Sequence, residues 1–547
     1  MNPNFTLLDY SIFALYAILI LGVGIWVSRG KKGVKKTAED YFLASKSLPW
    51  WAIGASLIAA NISAEQMIGM SGSGMAVGLA IASYEWMAAL TLIIVGKYFL
   101  PIFIEKGLYT IPEFIEKRFS TQLKTILAVF WIALFIFVNL TSVLFLGGKA
   151  LDTIMGSGDG SLIMPAIIGL ALFAAAYSLY GGLAAVAWTD VIQVTLLVVG
   201  GLITSMIALD YVTPQGGIIN GLNHIYNTAG DKFHMILKKE NPEFMNLPGI
   251  GVLVGGLWVA NLYYWGFNQY IIQRTLAAKS LKESQRGIIF AAFLKMIIPL
   301  IVVIPGIIAY VMFYQPEGTA IVDGVQDAFS KAGGGVNYDK SYPWLIASFI
   351  PTGIKGLVVA ALAAAIVSSL ASMVNSTSTI FTMDIYRPYI AKKDGKNRDV
   401  QVGRISGAIA LVIAIFVAPL LGNIDQAFQY IQEYTGLVSP GVLAVFLLGL
   451  FYKKTNNKGA IVGILVSIPI ALMLKTPSLE LPWMDQMFYT FLMTLVIIVG
   501  VSLTTNPNDD DPKAIKFTNK IFKTDSVFNI AAYAICIMLV VLYTLFW

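Results

Sequence analysis

Apolar stretches of about twenty residues recur along nearly the whole chain, separated by short polar segments. Each stretch is long enough to cross roughly 30 Å of bilayer hydrocarbon as an α-helix. The pattern therefore predicts an all-α integral membrane protein with about fourteen spans. We expect their centres near Ala17, Ala60, Leu90, Leu134, Leu170, Leu196, Leu257, Met296, Ala364, Ile413, Phe446, Val466, Val496 and Met538.

One apolar stretch is interrupted near its middle. After Trp50 the apolar run reaches Ala60, is followed by the polar segment Asn61–Gln66, and resumes with small residues. Bilayer hydrocarbon offers no water to unpaired backbone groups, so a helix can break there only around a cavity or a bound solute. A span broken in this way is typical of secondary transporters. The alternative is the end of a helix followed by an external loop.

Composition excludes a soluble protein with a single anchor. The chain has 547 residues, of which 57% are hydrophobic and 12% are charged, against roughly 25% charged residues in soluble domains. The single cysteine, Cys536, excludes an internal disulfide. A GxxxxGK[ST] motif does not occur, so ATP is not the predicted energy source. We predict a transport protein and not an enzyme.

The net charge of +6 arises from bases in alternate loops. Lysine and arginine accumulate on the cytoplasmic side of membrane proteins, so the pattern predicts the topology and gives no sign of nucleic-acid binding. It places both termini outside the cell. The bases assigned to cytoplasmic loops include Lys31, Lys32, Arg118, Arg274, Lys392 and Lys393.

The span count also suggests two similar halves. Five predicted spans lie in residues 49–210 and five in 249–451. Because the number per half is odd, the second half must be inverted relative to the first, which is an established plan of transporters. Residues 1–48 add a helix and a cytoplasmic loop, 211–248 form an external loop, and 452–547 form peripheral helices.

Several motifs together resemble the sodium/solute symporter family. They are ANISAEQ (60–66), SYEW (83–86), NLYYWGFNQYIIQR (261–274), AALAAAIVSSLASMVNS (360–376) and FQYIQEYTG (428–436). The resemblance implies a leucine-transporter-like fold of five plus five inverted helices. It also implies sodium-driven uptake of a monosaccharide, galactose or glucose, across a bacterial inner membrane.

The sequence leaves two other functions open. The first is the same fold carrying another solute, such as myo-inositol or an organic acid. The second is a different class of protein, a membrane sensor or a channel.

The resemblance implies a sodium site between the interrupted helix and a later span. Sodium prefers several oxygen ligands, which broken-helix carbonyls and hydroxyls supply without a fixed charge. The implied ligands are the carbonyls of Ala59, Ile62 and Ala365 and the hydroxyls of Ser368 and Ser369. The alternative is that both serines bond to carbonyls one turn back. Asp190 resembles a residue on the sodium exit route, or else it is a solvated charge at a helix end.

A sugar presents many hydroxyls and a weakly apolar face, so its recognition needs amides, charged groups and an aromatic platform in a dry cavity. The resemblance implies hydroxyl contacts from Asn61, Gln66, Glu85, Asn261, Lys295 and Gln432. For Glu85 and Lys295, an intramembrane salt bridge is the alternative.

The same resemblance implies gates on both sides of the sugar. Tyr264 and Trp265 would form the inner gate, with Tyr264 stacked on the ring. Met70, Tyr84 and Phe428 would form the outer cap, with ordinary packing as the alternative. Ala88 departs from the pattern, since sugar-carrying members have a serine there. Asn139 lies within a predicted span and should face the bundle interior.

Overall fold

The structure is a computed structural model that describes residues 5–29, 36–156, 158–331, 334–391, 398–421, 427–506 and 509–547. The expected loop bases Lys31, Lys32, Lys392 and Lys393 lie outside the described residues. Within these ranges the chain is built from helices, and eleven of them are long and apolar enough to span a membrane. These are α1 (Leu7–Ser28), α5 (Leu79–Glu105), α7 (Thr121–Met155), α8 (Ile163–Gly181), α9 (Leu183–Tyr211), α14 (Leu281–Tyr314), α17 (Ile354–Ile390), α18 (Asp399–Leu421), α21 (Asn457–Leu474), α22 (Trp483–Thr505) and α23 (Ser526–Leu545).

Shorter helices complete the described chain. They are α2 (Ala38–Phe42), α3 (Trp50–Asn61), α4 (Ser71–Ala76), α6 (Ile111–Arg118), α10 (Ile218–Thr228), α11 (Ile250–Val254), α12 (Gly256–Phe267), α13 (Gln269–Leu276), α15 (Val325–Phe329), α16 (Ser341–Phe349), α19 (Ala427–Gly436) and α20 (Ser439–Phe451). A π-helical turn, Glu65–Met70, precedes α4. All fourteen span centres expected from the sequence fall on helices. Those near Ala60, Leu257 and Phe446 fall on shorter pieces.

Side-chain caps mark where several long helices begin. Thr6 accepts a hydrogen bond from the Asp9 amide ahead of α1, and Ser120 accepts one from Leu123 ahead of α7. Asp525 accepts one from Phe528 ahead of α23. Such caps satisfy amides that lack an intrahelical partner. Polar residues between apolar runs therefore set the helix starts.

The core consists of α3, α4, α9, α14 and α17, which pack closely on one another. In α17, 94% of the most apolar window is buried, compared with 17% in α23. Small residues permit the close approach. A Cβ added at Gly201 of α9 would lie 2.0 Å from Ile301 of α14. The last helices, by contrast, expose broad apolar faces.

The polar interruption is a real break in a helix. Helix α3 ends at Asn61, and Ile62 is extended with φ −77° and ψ 95°. A second break occurs at Asn268, also extended, between α12 and α13. The alternative of a helix end leading into an external loop is wrong, because Ile62, Ser63 and Ala64 are buried. Both breaks lie where the polar motifs were noted.

Candidate functional site

The breaks open onto a polar cavity. All six predicted sugar contacts line it: Asn61, Gln66, Glu85, Asn261, Lys295 and Gln432. They come from segments far apart in sequence, including α5, α12, α14 and α19. The structure thus brings this predicted set together.

A hydrogen-bonded chain runs along one wall of the cavity. The Lys295 ammonium donates to Glu85 and to the Asn61 side-chain oxygen. Asn61 Nδ2 donates to the Tyr264 hydroxyl at 2.9 Å, and Tyr270 donates to the same hydroxyl at 2.6 Å. The intramembrane salt bridge expected as the alternative for Glu85 and Lys295 is therefore present. Because the pair lines the cavity, it also remains available to a ligand.

Three buried amide atoms beside this wall have no hydrogen-bond partner among the described residues. They are Asn139 Oδ1, Asn261 Nδ2 and Asn268 Oδ1, and all three residues line the cavity. Leaving such a group unpaired costs roughly 1–3 kcal/mol. A solute with several hydroxyls would satisfy them. Asn139 faces the interior, as predicted. We call Asn61, Glu85, Asn261, Lys295 and Gln432, with these amides, the cavity cluster.

Aromatic side chains close the cavity on two sides. Tyr84 packs edge-on against Phe428 with ring centroids 4.9 Å apart, and both line the cavity. Tyr264 packs edge-on against Trp265 at 5.1 Å, and the Lys295 ammonium lies 5.1 Å from the Trp265 ring centre. Met70 is fully buried and is not among the lining residues. The predicted cap residue Met70 therefore packs behind the cavity wall.

The predicted sodium ligands lie at the junction of α3 and α17. The Ser369 hydroxyl is 3.0 Å from the Ala60 carbonyl, 3.4 Å from that of Ala59 and 3.1 Å from that of Ala365. Ile62 is the extended residue that ends the helix, so nearby carbonyls lose their intrahelical partners. Several oxygens thus converge without a fixed charge. The contact with the Ala365 carbonyl, one helical turn earlier, is the bond expected if Ser369 were only a structural residue.

Ser368 points elsewhere. Its hydroxyl donates to Asp190 Oδ1 at 2.5 Å, and Ser56 donates to the other carboxylate oxygen. Of the five predicted ligands, Ala59, Ala365 and Ser369 therefore lie together, while Ser368 binds Asp190. Sequence reasoning treated the two serines alike. Their different partners follow from the helix, because successive residues project about 100° apart.

Asp190 is fully buried, so its interpretation as a solvated helix-end charge is wrong. Its carboxylate lies 3.4 Å from the Arg274 guanidinium, which is also fully buried. Arg274 also donates to Ser56, Ser372 and the Tyr270 carbonyl. We call Ser56, Asp190, Arg274, Ser368 and Ser372 the arginine cluster. It joins α3, α9, α13 and α17.

The charge rule assigned Arg274 and Arg118 to cytoplasmic loops, but neither is solvated. Arg118 is 1% exposed and donates to the carbonyls of Gly449 and Thr455 at 2.9 and 2.6 Å. Basic residues near span ends satisfy the topology rule whether they point to water or inward. Counting charges therefore missed both buried arginines.

Two glutamines on α13 extend the arginine cluster and were also missed. Gln273 donates to the Phe42 carbonyl at 2.7 Å and to Thr379 at 2.9 Å. Gln269 accepts from the Ile111 amide at 2.8 Å. The sequence feature that could have indicated them is their spacing, since residues four apart lie on the same face of a helix. These bonds tie the inner half of the second broken helix to α6 and α17.

Comparison with known proteins decides the family. Residues 41–467 match the family model described as sodium:solute symporter family. The chain belongs to the sodium:solute symporter family. It is a multi-pass membrane protein of a transporter family, and sodium is its coupling ion. The resemblance noted from its motifs is confirmed.

Individual relatives agree with this assignment. The chain is 64% identical to a sodium/glucose cotransporter of Vibrio parahaemolyticus over 99% of this chain and 98% of that one. It is 33% identical to sodium/myo-inositol cotransporter 2 of Mus musculus, over 85% of this chain and 69% of the relative. The solved outward-open, substrate-bound state of a Na⁺-coupled sialic acid symporter matches with a TM-score of 0.77. It is 25% identical and covers 92% of this chain and 98% of its own.

Proposed function

We propose that this protein carries a neutral monosaccharide, glucose or galactose, into the cell together with sodium. The observation that supports this most is the convergence on one cavity of the six polar residues that the resemblance implied, which come from separate segments of the chain. Unpaired amide atoms in the same wall match the alternating donors and acceptors of sugar hydroxyls. The sodium/glucose cotransporter similar over nearly the whole chain adds support.

The charge of the cavity favours a neutral solute. Lys295 is the lysine among the lining residues, and its ammonium is paired with Glu85. Glu65, the other lining carboxylate, accepts from Ser142 at 3.2 Å. An organic acid would need an unneutralised cation to balance its carboxylate. Glucose, galactose and myo-inositol need none, so myo-inositol is the stronger alternative solute.

The broken helix provides a physical route for coupling. Carbonyls of Ala59 and Ala60 approach Ser369, while Asn61 and Gln66 of the same segment line the sugar cavity. A sodium ion held by the carbonyls of Ala59, Ile62 and Ala365 and by the Ser369 hydroxyl would fix the segment that presents Asn61 and Gln66. Asp190 then lies next to the ion path through its bond to Ser368. Sodium and sugar would each strengthen binding of the other.

The topology proposed is fourteen spans, with a five-plus-five inverted repeat over 49–210 and 249–451. Contacts support both termini lying on one side. The Met235 amide donates to the Phe546 carbonyl at 2.6 Å, which joins the chain end to the loop 211–248. At the other end, Asp9 accepts from the Gly353 and Gly356 amides. Phe349, just before Gly353, packs against Tyr211 at the start of the same loop, with ring centroids 5.7 Å apart. Since the basic loops lie opposite, we assign the termini to the outside of a bacterial plasma membrane.

Uptake into proteoliposomes tests the function. Purified protein should accumulate radiolabelled glucose or galactose when an inward sodium gradient is imposed, and should not when potassium replaces sodium. Myo-inositol and lactate serve as competitors, and a neutral-solute site predicts competition by the first more than by the second. Sodium-independent, non-saturating flux would contradict a symporter and indicate a channel. Counterflow provides the carrier control: liposomes preloaded with unlabelled sugar should transiently accumulate labelled sugar, which a pore does not allow.

A further inference from the structure

A second cavity lies away from the sugar cavity and has a strongly basic wall. Its charged lining residues are Lys106, Lys117, Arg118 and Lys513, and among the described lining residues there is no carboxylate. The apolar part of its wall consists of Leu108, Phe114, Ala514 and Ile515. Cationic and apolar surfaces therefore meet in one concave site. We refer to it as the basic cavity.

The wall of the basic cavity is held by a buried arginine. Arg118 Nη1 lies 3.1 Å from Asp511, and the same side chain binds carbonyls of Gly449 and Thr455. Lys513 Nζ donates to the Phe119 carbonyl at 2.7 Å. These bonds join α6 to the segment that carries Lys513. The cavity is thus part of the folded structure.

Ion pairs balance only part of its positive charge, and Glu116 adds a weaker electrostatic attraction to Lys513. Lys117 pairs with Glu113 at 2.9 Å, and Arg118 pairs with Asp511. The nearby Glu116 pairs with Lys124 at 2.6 Å. Lys106 and Lys513 are exposed and form no ion pair within the described ranges. An ammonium has three donors, so Lys513 keeps two after its bond to Phe119.

The position relative to the membrane identifies the ligand class. Lys106 directly follows the long apolar helix α5, and α7 begins shortly after Arg118. The basic cavity therefore lies where two spans reach the membrane surface, on the side assigned to the cytoplasm. Anionic phospholipids concentrate in that leaflet, and basic pockets between spans bind their headgroups.

We propose that the basic cavity binds the phosphodiester headgroup of an anionic phospholipid. Lys106 and Lys513 would contact the phosphate oxygens, while Leu108, Phe114 and Ile515 would contact the first part of the lipid chains. Nothing in this proposal depends on which sugar is carried.

Native mass spectrometry of the full chain in detergent, titrated with phosphatidylglycerol, tests the proposal. The double variant Lys106→Gln/Lys513→Gln should bind this lipid about tenfold more weakly. A matched control, Lys238→Gln/Lys239→Gln, removes two exposed charges in the loop 211–248 and should bind as the unchanged protein does. If the double variant folds poorly, Lys106→Glu carries the test, because no hydrogen bond of that side chain is lost.

Three results would overturn the assignment. If the control variant bound phosphatidylglycerol as weakly as the double variant does, the lipid would be attracted by the overall surface charge and not by this cavity. Equal binding of phosphatidylcholine would show an apolar crevice without headgroup recognition. Displacement of phosphatidylglycerol by millimolar inorganic phosphate, lost in the double variant, would show a site for soluble phosphate.

Discussion

The cavity cluster and the arginine cluster each include a residue of the broken helix α3, Asn61 and Ser56 respectively, and have similar chemistry. Each contains one buried ion pair surrounded by uncharged polar side chains. In the arginine cluster, both oxygens of Asp190 accept hydrogen bonds, and Arg274 donates to four residues. In the cavity cluster, buried amide atoms of Asn139, Asn261 and Asn268 remain unpaired beside empty space.

The difference separates a role in binding a solute from a role in holding helices together, which we call the closing role. Polar groups that satisfy one another hold helices together and leave nothing for a solute. Polar groups left unpaired beside a cavity become favourable only when a ligand supplies partners. Buried charge alone therefore does not identify the site. Unpaired buried atoms alone do not identify it either, since those of Asn375 lie away from the cavity. The combination of unpaired amides and a polar cavity marks the site.

The largest effect should come from Arg274→Met. Removing this guanidinium leaves the Asp190 charge buried without its partner, which typically costs about 3–5 kcal/mol. We expect a lower unfolding temperature in detergent, measured by tryptophan fluorescence, together with loss of sodium-driven uptake. Adding Asp190→Asn removes the stranded charge and should restore much of the stability without restoring uptake. A fully stable Arg274→Met protein would contradict the closing role.

A tenfold effect on affinity, without a loss of stability, is expected in the cavity cluster. Asn261 Nδ2 makes no hydrogen bond to the described protein, so Asn261→Ala deletes no intramolecular bond of that atom. The half-saturating sugar concentration should rise about tenfold through the lost ligand contact. Gln432→Ala should behave alike. Thermal unfolding without sugar is the control, and a large drop there would assign these amides to folding.

The sequence predicted the cavity better than the arginine cluster, for a physical reason. Glu85, Asn261 and Lys295 stand out because polar groups within apolar spans are costly. Arg274 lies at the end of its motif, next to loop residues. The topology rule therefore explained it as a cytoplasmic charge, and no buried partner was sought for it. Its contact with Asp190 spans 84 residues of chain. Only the packing of both α13 and α9 on α3 and α17 reveals that pair.

Local patterns likewise located the breaks but not the orientation of each side chain. The motif around Ser368 and Ser369 placed both serines beside the broken helix. Which serine faces the carbonyls and which faces Asp190 depends on the rotation of α17 about its axis. Met70 illustrates the same point, since its motif assigned it to the cap while the turn of the helix buries it. Rotations of this kind follow from packing between distant segments.

A smaller effect should distinguish the two serines. Ser369→Ala removes the hydroxyl near the carbonyls of Ala59 and Ala60. It should raise the sodium concentration for half-maximal uptake about fivefold, the equivalent of one lost hydrogen-bond partner. Ser368→Ala instead removes a donor to Asp190 and should act mainly on thermal stability. Sodium titration of sugar uptake compares them, and the opposite ranking would move the ion site toward Asp190.

The smallest effect is expected for Tyr264→Phe. The ring can still stack on the C–H face of a sugar after the oxygen is removed. The hydroxyl is not idle, however, because it accepts from Asn61 and Tyr270. Asn61 lines the cavity, where a sugar or water can pair it. Tyr270 is buried and does not line the cavity, so the loss of its acceptor should lower stability more than uptake. We therefore expect no more than about a threefold loss of uptake. Tyr264→Ala removes the platform itself and should abolish most uptake under the same sodium gradient. Equal loss in the two variants would show that the hydrogen bonds of the Tyr264 hydroxyl matter more than stacking. The inner gate would then be held by satisfied hydrogen bonds, as the arginine cluster is.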